Sequence, residues 1–200
     1  MKAYYFVPAD AADEIIECGL EISRGQYFVS KFMQNSGRCF AARLHPGDYA
    51  PGEFSPDKVC LKIDLAKVRA FVAEEAFLET DMPEEQKRQW FEASILPAEA
   101  YRLGTYRKPL CLIANTILPQ AMEVYDRLID EALLYESSEE LYLSSLLRQA
   151  EEDPDFREPA LKAYMDSLAA MGKMQAYIQK DYCVYFDIQS KQPYILKKGQ

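Results

Sequence analysis

The chain opens on four consecutive apolar side chains, Tyr4, Tyr5, Phe6 and Val7, stopped by Pro8. Proline lacks an N–H and disfavours helical backbone at the residue before it, so the run is predicted as a strand. Asp10 follows where a side-chain oxygen accepts from the free amides that open a helix. Ile15, Ile16 and Leu20 then recur at helical spacing around the stop at Gly19. Alternation takes over next. Phe40, Ala42 and Leu44 share one side of a predicted strand and Cys39, Ala41 and Arg43 the other, while Val59, Leu61 and Ile63 alternate with Cys60, Lys62 and Asp64 in a second. Asp64 is placed to cap a short helix from Leu65, and the unbroken apolar run from Pro109 to Ala114 reads as a fully buried strand.

From Pro119 the period lengthens to three and four. Met122, Tyr125, Leu128, Ile129, Ala132 and Leu133 mark one helix, and Ser137 with Glu140 fits a capping box before another that carries Leu143, Leu146 and Leu147. Asp153-Pro154 starts a turn, and Leu161, Tyr164, Met165, Leu168, Met171 and Ile178 mark a long helix after Pro159. Tyr182, Val184, Phe186 and Ile188 alternate again before Gln189 to Gln192 turns the chain back into Tyr194, Ile195 and Leu196. The pattern predicts an α+β fold: a small, mostly antiparallel sheet core, a helical insertion near residues 119–180 and a C-terminal strand hairpin. The final return to sheet is expected to tie residues 1–200 into a single domain.

Composition adds bounds. A chain of 200 residues that is 49% hydrophobic has enough apolar material for one substantial core. The net charge of -9 is uneven, because residues 121–160 hold twelve carboxylates against three arginines while the rest is balanced. That distribution argues against a nonspecific grip on nucleic acid or an anionic membrane, both of which need clustered Lys and Arg. It fits a solvated helical face, or a docking face for a basic protein partner at 121–160. No apolar stretch reaches the length of a membrane span, and the segment before Asp10 lacks the apolar length of a secretory signal, so a cytoplasmic protein is expected. Cys18, Cys39, Cys60, Cys111 and Cys183 lie far apart and mostly among apolar residues, which predicts buried, reduced thiols and no zinc site. The sequence leaves the oligomeric state open.

His45 is the one histidine, two residues after Arg43. An imidazole beside a guanidinium at the end of a strand is suited to a phosphate or carboxylate; alternatively His45 hydrogen-bonds its own turn. A single histidine excludes multi-histidine metal sites, and no nucleophile stands in a hydrolase motif. The eight glycines fall in neither Walker nor dinucleotide spacing, which excludes kinase-like and Rossmann enzymes. Glu74, Glu75 and Glu79 could provide an acid or base, but on an exposed segment they read as solvent-facing carboxylates, and Trp90, in a polar stretch, as the anchor of a loop.

The opening strand followed by a helix ending Ile15-Ile-Glu-Cys-Gly-Leu20 resembles the start of the ADP-ribosyltransferase-like fold, as in RNA 2'-phosphotransferases and DNA-modifying ADP-ribosyltransferase toxins. The segment from Cys60 to Glu79 is similar to a strand and helical turn of that fold, and Ile117 to Glu123 to its strand-Pro-helix step. The resemblance covers roughly the first 125 residues and implies an NAD-binding cleft, a first-strand His or Arg on the cofactor, and a glutamate that stabilises the cationic ribose. Here Tyr5 stands where the family places His or Arg, and Glu123, in Gln-x-x-Glu spacing, is the glutamate candidate. The cofactor-binding candidates are Tyr5, Arg43 and His45, and the catalytic candidates Tyr5, His45 and Glu123. Two functions are expected: a cytoplasmic binding or regulatory module on a degenerate scaffold of this kind, or an NAD-dependent transferase acting on nucleic acid or protein.

Overall fold

Strand β1 (Lys2–Pro8) forms from the opening apolar run and lies inside the larger sheet. The computed structural model of the chain describes residues 1–27, 37–126 and 133–197. β1 pairs antiparallel with β4 (Lys58–Asp64) along its whole length and with β3 (Arg38–Arg43) where Tyr4 meets Arg43. Beyond β3 come β7 (Pro109–Ile113), β5 (Ala70–Glu74) and the short β6 (Leu96–Pro97); beyond β4 comes β8 (Met122–Val124), and β2 (Gln26–Tyr27) adds to the start of β3. All of these pairings are antiparallel.

Alternation along each strand feeds two cores, one on each face. Ala3, Val7, Phe40, Ala42, Leu61, Ile63, Val72, Cys111 and Ile113 pack on one face with Ala12 and Ile15 of helix α1 (Ala9–Cys18). Cys39, Phe71, Ala73, Leu110 and Leu112 pack on the other with Phe91 of helix α2 (Glu84–Ser94) and with Ile95. β7 is buried throughout because its residues serve both cores in turn, as its unbroken apolar run predicts.

Several local expectations are corrected. α1 begins directly after Pro8 without a side-chain cap, so Asp10 lies in its first turn rather than capping it. Gly19 does end the helix: its φ is 95°, its N–H reaches the Ile15 carbonyl at 2.8 Å, and a Cβ there would lie 2.8 Å from the Ile117 carbonyl oxygen. Trp90 is on α2, edge-to-face with Phe77 at 5.5 Å, and not in a loop. Residues 122–124 form strand β8 where a helix was predicted, because Leu61 to Ile63 offer a free ladder edge; Leu128, Ile129 and Ala132 lie outside the described residues. Asp64 caps the short Leu65–Lys67 turn, its carboxylate accepting from the Ala66 amide at 3.3 Å.

The chain divides into two compact units, Met1–Glu139 and Glu140–Gln200. The second contains most of α3 (Ser138–Glu152), α4 (Arg157–Ala170) and an antiparallel sheet of β9 (Met174–Ile178), β10 (Tyr182–Asp187) and β11 (Pro193–Lys197), with β10 central. Its core is Met174, Cys183 and Tyr185 against Met165, Leu168, Ala169 and Leu196. Ile178 therefore belongs to a strand; the helix stops at Ala170, before Gly172 with φ 71°. The C-terminal strands make a three-stranded sheet of their own. Among the described residues, no helix is long and apolar enough to cross a membrane.

Candidate functional site

On the α2 side of the first sheet, the ends of β3, β5 and β7 open a cleft of about 310 Å³. β3 delivers Arg43 to it, the segment after β5 delivers Glu75 and Glu79, and Arg107 and Lys108 lead into β7. Gly47 and Asp48 close one side and Glu139 another.

The cleft is organised by a buried carboxylate. Glu74 closes β5 at 7% exposure, opposite Pro109, which has no N–H for the ladder. Its side chain instead accepts the backbone amides of Arg107 at 2.6 Å and Lys108 at 2.8 Å, and that of Ala76 at 3.2 Å. A buried charge needs such partners, and these bonds fix the segment that carries the two cations. Ser94 and Tyr106 brace it further: Ser94 Oγ accepts the Glu74 amide at 2.9 Å, and the Tyr106 hydroxyl donates to the Ser94 carbonyl at 2.6 Å.

In the cleft itself the charges pair. Arg43 grips Glu75 through both terminal nitrogens. Burial works against its charge, but Glu75, with Tyr49 and Asp48 nearby, holds the guanidinium above its ordinary range, so it stays a cation. Lys108 bonds the Glu79 carboxylate at 2.5 Å and Arg107 lies 3.8 Å from it, while Arg107 Nε also faces Glu139 at 3.4 Å. Glu79 is the most exposed of these carboxylates, its side chain 48% accessible against 25% for Glu75 and 21% for Glu139. It is therefore the partner most readily exchanged. Asp48 is committed elsewhere, accepting the Ser138 amide at 2.7 Å and hydroxyl at 2.6 Å.

The sequence candidates do not converge. Pairing of Tyr4 with Arg43 places those two on one face, so Tyr5 projects to the opposite face. There its ring packs edge-to-face on Phe40 at 5.6 Å, and burial pushes its hydroxyl above the ordinary tyrosine range. His45 takes the turn role: its Nδ1 accepts the Gly47 amide at 2.9 Å and caps the Pro46–Asp48 turn. Glu123 shares Arg43's face in the row Arg43, Tyr4, Lys62, Glu123. Three strand spacings separate its ends, about 14 Å at the usual ~4.8 Å per strand. Glu123 is exposed and bonded to Lys62 at 3.1 Å.

Sequence reasoning missed Arg107 and Lys108, and misread Glu74 as solvent-facing. The available signal was that Glu74 directly continues the apolar run from Ala70 to Ala73. Of the cysteines, Cys39, Cys60, Cys111 and Cys183 are buried as expected, and Cys18 is exposed, contrary to expectation. Burial pushes the Cys39 thiol up to about 11 and that of Cys111 to about 12, so both stay protonated. Among the described residues, no group of three or more His, Cys, Asp or Glu side chains is placed to hold a metal ion. Comparison with protein-family models, curated proteins and solved structures finds no match to this chain.

Proposed function

We propose that the protein is a binding module in which the Arg43–Arg107–Lys108 cleft receives an anionic group, a carboxylate or phosphate, of its ligand. The observation that carries this reading is the buried Glu74, which spends a costly desolvated charge on fixing the segment that presents Arg107 and Lys108. An incoming anion exchanges with the half-exposed Glu79 carboxylate, while Glu75 keeps Arg43 in place. The alternative of an NAD-dependent transferase on an ADP-ribosyltransferase-like scaffold would need Tyr5, Arg43, His45 and Glu123 around one cofactor. Two faces of the sheet and three strand spacings separate these side chains, which favours binding without turnover.

A basic protein partner at residues 121–160 belongs to the same reading. It is supported by the exposure of Glu140, Glu151, Glu152, Asp153, Asp155 and Glu158. Such a contact weakens as salt screens it. A cytoplasmic location is part of the proposal too, in keeping with the buried protonated thiols.

Thermal shift with inorganic phosphate, citrate, ADP-ribose and NAD tests the cleft. At about 100 times its dissociation constant a ligand stabilises by about 2.7 kcal/mol. The expected result is a saturable rise with at least one anion that is lost in Arg107→Ala and in Lys108→Ala. A rise with none of them, or one unchanged in both variants, overturns the assignment.

A further inference from the structure

A second hollow, of about 380 Å³, opens on the same sheet face and shares no lining residue with the charged cleft. Its origin is in the register. Tyr4 pairs with Arg43 on this face, Phe6 and Ala41 both line the hollow, and Ala41 pairs across the sheet with Leu112. A methyl group between two large side chains leaves room over Ala41, and Phe6 forms the wall of that space. The Phe6 ring is held by two perpendicular neighbours, Tyr49 at 4.8 Å and 81° and Phe54 at 4.8 Å and 89°. Tyr49 is fixed in turn, because its hydroxyl donates to the Tyr4 carbonyl at 2.6 Å. The charged groups that line the hollow are Glu53, Asp57 and Lys58, so the carboxylates outnumber the ammonium.

Aromatic walls with an acidic rim select one ligand chemistry. Ring faces attract cations through their quadrupoles, and they suit organic cations because those carry apolar surface and shed water at low cost. A neutral apolar group would cover the rings but gain nothing from Glu53 and Asp57. An anion would face both carboxylates. We infer that the hollow formed by Phe6, Ala41 and Tyr49 with Glu53 and Asp57 is a binding site for an organic cation, an alkylammonium or guanidinium group. The cation comes either from a small amine or from a Lys or Arg side chain of a partner.

Amide chemical shifts of the full-length protein, titrated with tetramethylammonium chloride against sodium chloride at equal ionic strength, test the site. The expected result is saturable movement confined to Phe6, Ala41, Tyr49 and their neighbours, with no matching movement from neutral 3,3-dimethylbutanol. Ala41→Leu fills the hollow and abolishes the movement. Asp57→Asn, on the exposed rim, weakens the affinity about threefold, as expected for one partly screened charge contact, and serves where the leucine variant fails to fold. A blocked peptide with a central Lys or Arg separates the sources: tighter binding than tetramethylammonium assigns the site to a partner side chain, and binding of tetramethylammonium alone assigns it to a small amine. No saturable movement with any of these cations, or equal movement with the neutral alcohol, overturns the proposal.

Discussion

Replacing Glu74 by Gln removes one negative charge and one acceptor oxygen while keeping size and shape. In the native protein one carboxylate oxygen takes the Arg107 amide, and the other takes the amides of Lys108 and Ala76. A glutamine oxygen can serve one of these two groups, and its NH2 then confronts the donor or donors of the other. Hydrogen bonds to a charged group contribute about 1.5–3 kcal/mol each, and a buried unsatisfied donor costs about 1–3 kcal/mol. With Glu74 at 7% exposure, water offers little relief. The expected loss is about 2–4 kcal/mol, or about 6–12 °C in Tm for a unit of this size. Urea denaturation followed by Trp90 fluorescence reads it, because α2 carries Trp90 and Ser94, and Ser94 Oγ accepts the Glu74 amide. The cleft should also loosen, so the anion-induced shift should shrink along with stability. A change below about 0.5 kcal/mol, the range of an ordinary surface substitution, would refute the claim that Glu74 organises this segment.

Gly47→Ala would drive a Cβ into the Glu136 carbonyl oxygen, so the chain must move apart there; about 2–3 kcal/mol should be lost in urea denaturation, and an unchanged midpoint would contradict it. Tyr185→Phe keeps the packing of a fully buried ring but removes the bond its hydroxyl donates to Asp166 at 2.5 Å, and should cost the second unit about 1 kcal/mol with an unchanged denaturant slope. The Asp187 carboxyl is held below its ordinary range, chiefly by the Ser190 amide and also by that of Gln189. A folded pKa below the unfolded value gives stabilisation that is complete above about pH 4 and lost as the pH falls through the folded value. Amide exchange at Ser190, corrected for its intrinsic rate, should therefore accelerate relative to neighbouring strands on acidification; a constant ratio would count against this. Brief iodoacetamide treatment of native protein should modify Cys18 and spare Cys39, Cys60, Cys111 and Cys183, as peptide mass spectrometry would report.

What could be read from the sequence was whatever depends on neighbours along the chain. The alternation of Phe40, Ala42 and Leu44 with Cys39 and Ala41 sorts these side chains onto the two faces where they are found, and Gly19 ends its helix. Period alone misplaced Met122, because three residues can match a helical spacing and still be captured by the open edge of β4. Ile178 was drawn into a helical pattern for the same reason, although Gly172 had already turned the chain. The site was less legible. Whether Tyr5 and Arg43 meet depends on the register between β1 and β3, and a shift of one residue exchanges the faces. Glu74 depends on a partner loop more than thirty residues away, whose free amides no local pattern announces.

The most direct test of the binding-module reading is nicotinamide release from NAD, measured for the wild-type protein and for Glu123→Gln. The separation of Tyr5, Arg43 and Glu123 by sheet face and strand spacing predicts that neither protein releases nicotinamide above a protein-free blank, whether or not NAD raises the melting temperature. Release by the wild type that is lost in Glu123→Gln would contradict the account and assign the fold to a transferase.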